Sequence, residues 1–270
     1  MNVSISNIAW KNEEEPSVAA FLRDHGITGV DVAYTKFWAS PADASDQALA
    51  DYRAFWAQHG ITIIGMQSLI YGRPDLMLFG SPEVRAEMTA YMTAVLRLAG
   101  KLGARPLVFG SPKNRLKGTL PDGEAMDIAA EFFTTLAHTA AQENVILCIE
   151  PNPADYACDF VRTTAPAIEL VSRVNHPHFR LHLDAAIMTM NGEHVETAIE
   201  NAAPYLAHFH ASEPQLAVVG EGTVDHPRFA AALKRIGYHG WVAVEMRSGW
   251  KTPDLEAVKV ALHTTLEAYS

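Results

Sequence analysis

Short apolar runs alternate along the chain with longer amphipathic stretches, a pattern that predicts strand then helix, repeated. Strands are expected at 3–10, 29–35, 61–69, 105–110, 146–150, 179–184, 206–210 and 240–245. Helices are expected at 17–25, 46–59, 81–102, 122–143, 163–174, 193–201 and 227–236, with a last one from 253. Punctuation supports these limits: Gly26, Gly60, Gly103 and Gly237 follow helical stretches, and Pro82 suits a first helical turn. Residues 71–80 form a long loop.

Such alternation implies a parallel sheet with helical crossovers, and eight units is the number that closes a (β/α)8 TIM barrel. An open doubly wound sheet is the alternative, but no Gly-rich fingerprint follows the first strand, and Gly220-Glu221-Gly222 comes too late. At 270 residues and 49% hydrophobic content, one α/β domain over 1–270 can bury a large core. No linker or charge block divides the chain; Glu13-Glu14-Glu15 is its longest like-charge run.

Charge narrows the partners. The net value of −10, without a basic stripe, argues against nucleic acid. The first residues lack a signal-peptide pattern, and no apolar stretch reaches the roughly 18 residues of a membrane span, so a soluble, cytoplasmic protein without membrane partners is expected. Cys148 and Cys158 show no spacing that demands a bridge, and Cys148 is read as a small core residue.

The chemistry sits at strand ends. Four consecutive predicted strands finish on Glu150, Asp184, His210 and Glu245, separated by 34, 26 and 35 residues, close to one repeat each. A closed barrel brings those ends to one face. Three carboxylates there would repel one another unless a cation neutralised them. With one imidazole, the set suits Mn²⁺, Mg²⁺ or Co²⁺, and Zn²⁺ less well. His182 shares the strand parity of Asp184, as a partner of the ligands, a substrate contact or a core histidine; His208 is assigned to the core.

The stretches Cys148-Ile149-Glu150-Pro151-Asn152, His182-Leu183-Asp184, Phe209-His210-Ala211-Ser212-Glu213 and Val244-Glu245-Met246 resemble the xylose isomerase-like TIM-barrel superfamily, sugar (phosphate) isomerases and epimerases that include ketose 3-epimerases. The resemblance implies one divalent metal held by Glu150, Asp184, His210 and Glu245, with Glu150 and Glu245 also the acid and base, and a small carbohydrate as substrate. One carboxylate would remove the proton beside a polarised carbonyl, giving an enediolate, and the other would return it. Return to the same carbon is epimerisation; return to the neighbouring carbon is isomerisation.

Three positions depart from the 3-epimerase pattern: Ile187 in place of a histidine, Leu216 in place of an arginine and Tyr156 in place of a glutamate. Other candidate substrate contacts are Lys113 and Arg115, two cations suited to a phosphate or carboxylate, Arg247 as a further anion clamp, and Glu213. Gln67 could bond a hydroxyl, and Trp38, with Trp10, Phe37 and Trp250, could wall the pocket. A metal-dependent lyase or dehydratase acting on a keto-sugar or keto-cyclitol is the alternative activity, with a hydrolase behind it. A homo-oligomer is compatible with the sequence.

Overall fold

The computed structural model describes residues 1–270. Eight strands, β1 (Asn2–Ser6), β2 (Gly29–Ala33), β3 (Thr62–Gln67), β4 (Pro106–Phe109), β5 (Ile146–Ile149), β6 (Phe179–Asp184), β7 (Leu206–Ser212) and β8 (Trp241–Glu245), pair in parallel and in chain order. The barrel closes where Asn2 to Ile5 of β1 pair with Trp241 to Val244 of β8. It is the expected (β/α)8 barrel. The surrounding helices are α1 (Glu15–Asp24), α2 (Asp46–Gln58), α3 (Pro82–Leu102), α4 (Asp122–Gln142), α5 (Thr164–Val174), α6 (Ala185–Met190), α7 (Val195–Ala202), α8 (His226–Arg235) and α9 (Asp254–Tyr269).

Strand residues alternate between two different environments. One set, including Ile5, Val30, Phe109, Ile149, Leu183, Phe209 and Val244, joins the apolar core beneath the helices. The other set is rich in polar groups: Ser4, Asp31, His182, His208 and His210 are wholly buried yet lie outside that core, together with apolar residues such as Val108, Cys148 and Ala243. Barrel interiors are ordinarily filled by branched apolar side chains. This barrel instead buries a histidine-rich column next to its C-terminal mouth.

Several strand ends, and one added helix, differ from expectation. β1 ends at Ser6, whose hydroxyl accepts from Ile8 N and starts the 3-10 turn Asn7–Ala9. β2 ends at Ala33, whose N–H is taken by Asn7 Oδ1 at 2.8 Å. β7 runs past His210 to Ser212. The unforeseen helix α6 begins directly after β6, because Asp184 Oδ1 accepts from Ile187 N at 2.8 Å and caps it. No helix is long and apolar enough to cross a membrane. Cys148 and Cys158 are buried and unbridged.

Candidate metal centre

Glu150 follows β5, where its N–H still bonds to Phe109 O at 3.1 Å before Pro151 and Pro153 end the pairing. Two donors grip the Glu150 main-chain carbonyl: Arg115 Nη2 at 2.6 Å and Asn152 Nδ2 at 3.3 Å. Asn152 Nδ2 also donates to Glu150 Oε2 at 3.0 Å. On the neighbouring strand end, any Cβ at Gly110 would overlap Glu150 Oε2, so the carboxylate occupies space that only glycine leaves free.

Asp184 is fixed from two sides, by Ile187 N at Oδ1 and by Ser212 Oγ at Oδ2, the latter at 2.6 Å. His210 presents Nδ1 to Glu245 Oε2 at 3.3 Å and Nε2 to Asp31 Oδ2 at 3.6 Å. Glu245 Oε1 accepts from Gln67 Nε2 at 2.6 Å across the barrel mouth. The four strand-end residues are thus brought together at one mouth.

Electrostatics express the crowding. Burial, then the charges of Glu245 and Asp184, push the Glu150 carboxyl up to about 8. Burial and Glu245 likewise push Asp184 up to about 6. Burial opposes a charge on His210, but Glu245 and Asp31 outweigh it and hold its pKa well above the ordinary value. The reverse holds for His182, whose pKa burial and the neighbouring His210 and His208 press well below. Asp31, though buried, is lowered to about 2 because His208 and His210 more than offset the cost of burial.

The donor set fits a divalent cation. Glu150, His182, Asp184 and His210 offer donor atoms all within 4.8 Å of one another, and Glu245 adjoins through His210. No ring nitrogen of His182 or His210 makes a hydrogen bond, and those of His210 have only carboxylate contacts, Nδ1 with Glu245 at 3.3 Å and Nε2 with Asp31 at 3.6 Å. Orphaned imidazole nitrogens beside crowded carboxylates are what a cation would satisfy.

Two cavities, of about 560 and 620 Å³, meet over this centre and share Pro112, Lys113, Glu150 and Glu245. The first is bounded by Gln67 and by the loops after β3 and β4, including Tyr71, Arg73 and Gly110. The second is bounded by loops after β5, β6 and β7, and Tyr156, Ile187 and Leu216 all line it. The three departures from the 3-epimerase pattern therefore face one space.

The rim loops are laced into two arcs. Leu78 N bonds to Asn114 O at 2.8 Å, and Asn114 Nδ2 donates to Arg73 O and Leu76 O, joining the loops after β3 and β4. In the other arc, Gln215 N donates to Tyr156 Oη at 2.9 Å, and Leu216 O accepts from Arg247 N and Trp250 Nε1.

Other expected contacts fall differently. Lys113 is exposed and lines both cavities. Arg115 does not: the 3-10 turn Pro112–Arg115 carries its side chain inward, where it is fully buried and grips Glu150 O. There it lines neither of the cavities in which a substrate anion would rest. His182 is wholly buried, 3.3 Å from Glu150 Oε1, and lines neither cavity.

Glu213 borders the second cavity, but its Oε2 accepts from Thr223 N and Val224 N and its Oε1 lies 3.3 Å from His226, which anchors the loop after β7. Arg247 is exposed and stacks over the Trp250 ring at 4.3 Å, outside both cavities. Trp38 packs edge-on to Tyr52 and also lines neither. Asp31 and Ser212 escaped the sequence reading; a lone carboxylate within the buried run Gly29–Ala33 was the available signal for the first.

A family model described as xylose isomerase-like TIM barrel matches residues 19–264. The chain is 25% identical over 248 residues to a D-psicose 3-epimerase of Ruminiclostridium cellulolyticum, covering 87% of this chain and 80% of the relative. Its fold superposes on the crystal structure of D-psicose 3-epimerase with D-tagatose from Clostridium cellulolyticum H10 with a TM-score of 0.81 at 19% identity, over 100% of both chains. It is also similar to the IOLI protein with a binding zinc atom, at a TM-score of 0.77 and 19% identity, over 100% of this chain and 98% of that one.

Proposed function

The chain belongs to the xylose isomerase-like TIM-barrel family, and from that premise we propose that it is a divalent-metal-dependent epimerase or isomerase of a keto-sugar or sugar derivative. The observation that carries the reading is the shared position of Glu150 and Glu245: both border both cavities, beside Asp184 and His210. Relatives that epimerise ketoses at C3 support the same class.

Glu150, Asp184, His210 and Glu245 would hold the cation, which when bound would neutralise the carboxylates and polarise the substrate carbonyl. Proton movement belongs to the chain's own groups. One glutamate takes the proton beside the carbonyl, and the other delivers a proton to the enediolate. Asn152 on Glu150 and Gln67 on Glu245 orient the two carboxylates toward the space between them.

Recognition differs from that of the 3-epimerases. Where the resemblance calls for glutamate, histidine and arginine, the second cavity has Tyr156, Ile187 and Leu216, a less polar wall. A sugar derivative with a less hydroxylated portion fits that wall, and Lys113, facing both cavities, suits an acidic substituent. The test is product analysis by NMR in deuterated water with Mn²⁺, on ketoses, keto-glycosides and sugar acids. Label at one carbon with inversion identifies an epimerase, and label at the adjacent carbon an isomerase. Loss of water would instead establish the dehydratase.

A further inference from the structure

The carboxylate buried below the centre has no place in the chemistry so far. Asp31 is wholly buried on β2, which the closed strand order sets opposite β6. A buried carboxylate costs several kcal/mol unless paired, and the ion-pair partners of Asp31 are two imidazoles of β7. His208 Nε2 lies 2.7 Å from Asp31 Oδ2, and His210 Nε2 lies 3.6 Å from the same oxygen.

The backbone is shaped to admit it. Val30 pairs with Ile63 but Asp31 pairs with Gly65, so the register of β2 on β3 slips at this residue. A Cβ at Gly65 would stand 2.6 Å from Asp31 Oδ1. Bulges of this kind re-aim side chains, and this one aims a carboxylate at a candidate metal ligand.

We propose that Asp31 is a positioning residue that fixes the ring and tautomer of His210 for metal binding. An ionised carboxylate only accepts hydrogen bonds, so a ring nitrogen facing it bears the proton. Nε2 faces Asp31; Nδ1, turned to Glu245, is left with the lone pair a cation needs. His208 donates to the same oxygen of Asp31 and holds that carboxylate in place. The inference rests on the metal-centre reading above.

Co²⁺ titration by calorimetry, with its visible absorption bands, tests both. Asp31→Asn and Gly65→Ala are each expected to weaken Co²⁺ binding about 10–100-fold and to alter the bands, with far-UV circular dichroism unchanged. A merely structural role would lower the melting temperature and leave affinity and bands as in the wild type, which overturns the inference alone. Wild-type protein that binds no Co²⁺ overturns the metal reading and this inference with it. Ring ¹⁵N spectra of the Zn²⁺-loaded wild type provide a check independent of variant folding. A proton on His210 Nε2 supports the proposal, and one on Nδ1 overturns it.

Discussion

Gln67 Nε2 donates to Glu245 Oε1 at 2.6 Å, tying the end of β3 to the end of β8. The amide donates a hydrogen bond to one oxygen of a carboxylate whose other oxygen faces His210. Hydrogen bonds to charged groups contribute about 1.5–3 kcal/mol. Gln67→Ala is therefore expected to lower kcat/KM about 10–100-fold, while Glu245→Gln and Glu150→Gln lower kcat by about 100-fold or more. Steady-state kinetics, with exchange of the substrate α-hydrogen read in deuterated water, measures each. Near-wild-type exchange in either glutamate variant would remove that residue from the acid/base pair.

Removing the side chains of the two cations after β4 should have opposite consequences. Arg115 is fully buried against the Glu150 carbonyl, whereas Lys113 is exposed between the cavities. Arg115→Ala is expected to destabilise the fold by about 3 kcal/mol, through a large void and a lost hydrogen bond. Lys113→Ala should change stability by less than about 0.5 kcal/mol but raise KM for acidic sugars relative to neutral ones. Chemical denaturation and substrate-panel kinetics separate the two, and equal stability losses would contradict the assignment.

The pH dependence follows from Glu150, raised to about 8 from 4.5, and Asp184, raised to about 6 from 3.8. Across that interval the folded, metal-free chain holds protons that the unfolded chain has released, so their contribution to stability is present at low pH and is lost as pH rises through the folded values. A divalent cation competes for the same oxygens. The gain in melting temperature on adding Mn²⁺ should therefore grow from pH 5 toward pH 8. A thermal-shift series that stays flat or declines would count against these two ligands.

Gly110→Ala tests the space around Glu150 without touching a polar group. Its Cβ would overlap Glu150 Oε2, displacing the carboxylate. Metal affinity is expected to fall about 10-fold or more, with the same readout by calorimetry. Unchanged affinity would mean that Glu150 does not bind in this orientation.

The barrel and the meeting of Glu150, Asp184, His210 and Glu245 at its mouth were legible because each closes an apolar run and the spacing matches the repeat. What lay inside the barrel was not. Strand parity places His208 and Asp31 in the interior, but pairing across the barrel depends on the register slip at Asp31, which no local pattern encodes. The inward turn of Arg115 was hidden for a related reason: within the 3-10 turn Pro112–Arg115, a single residue, Asn114, separates an exposed Lys113 from a buried guanidinium. Asp184 was seen as a ligand, while its second role, capping α6, hid the helix.

The two laced arcs of the rim have a bearing on how this barrel diversifies. Glu150, Asp184, His210 and Glu245 sit at or next to strand ends, whereas Tyr156, Gln215 and Leu216 sit on one arc and Arg73 and Asn114 on the other. Exchanging the arc that carries Gln215 and Leu216 leaves the bonds of Asn114 to Arg73 and Leu76 in place, whereas exchanging the Asn114 arc would also take Arg115 away from the Glu150 carbonyl. Grafting a new substrate preference onto this scaffold is thus a matter of transplanting a rim segment whole, with its internal ties, while Glu150 and Glu245 are kept.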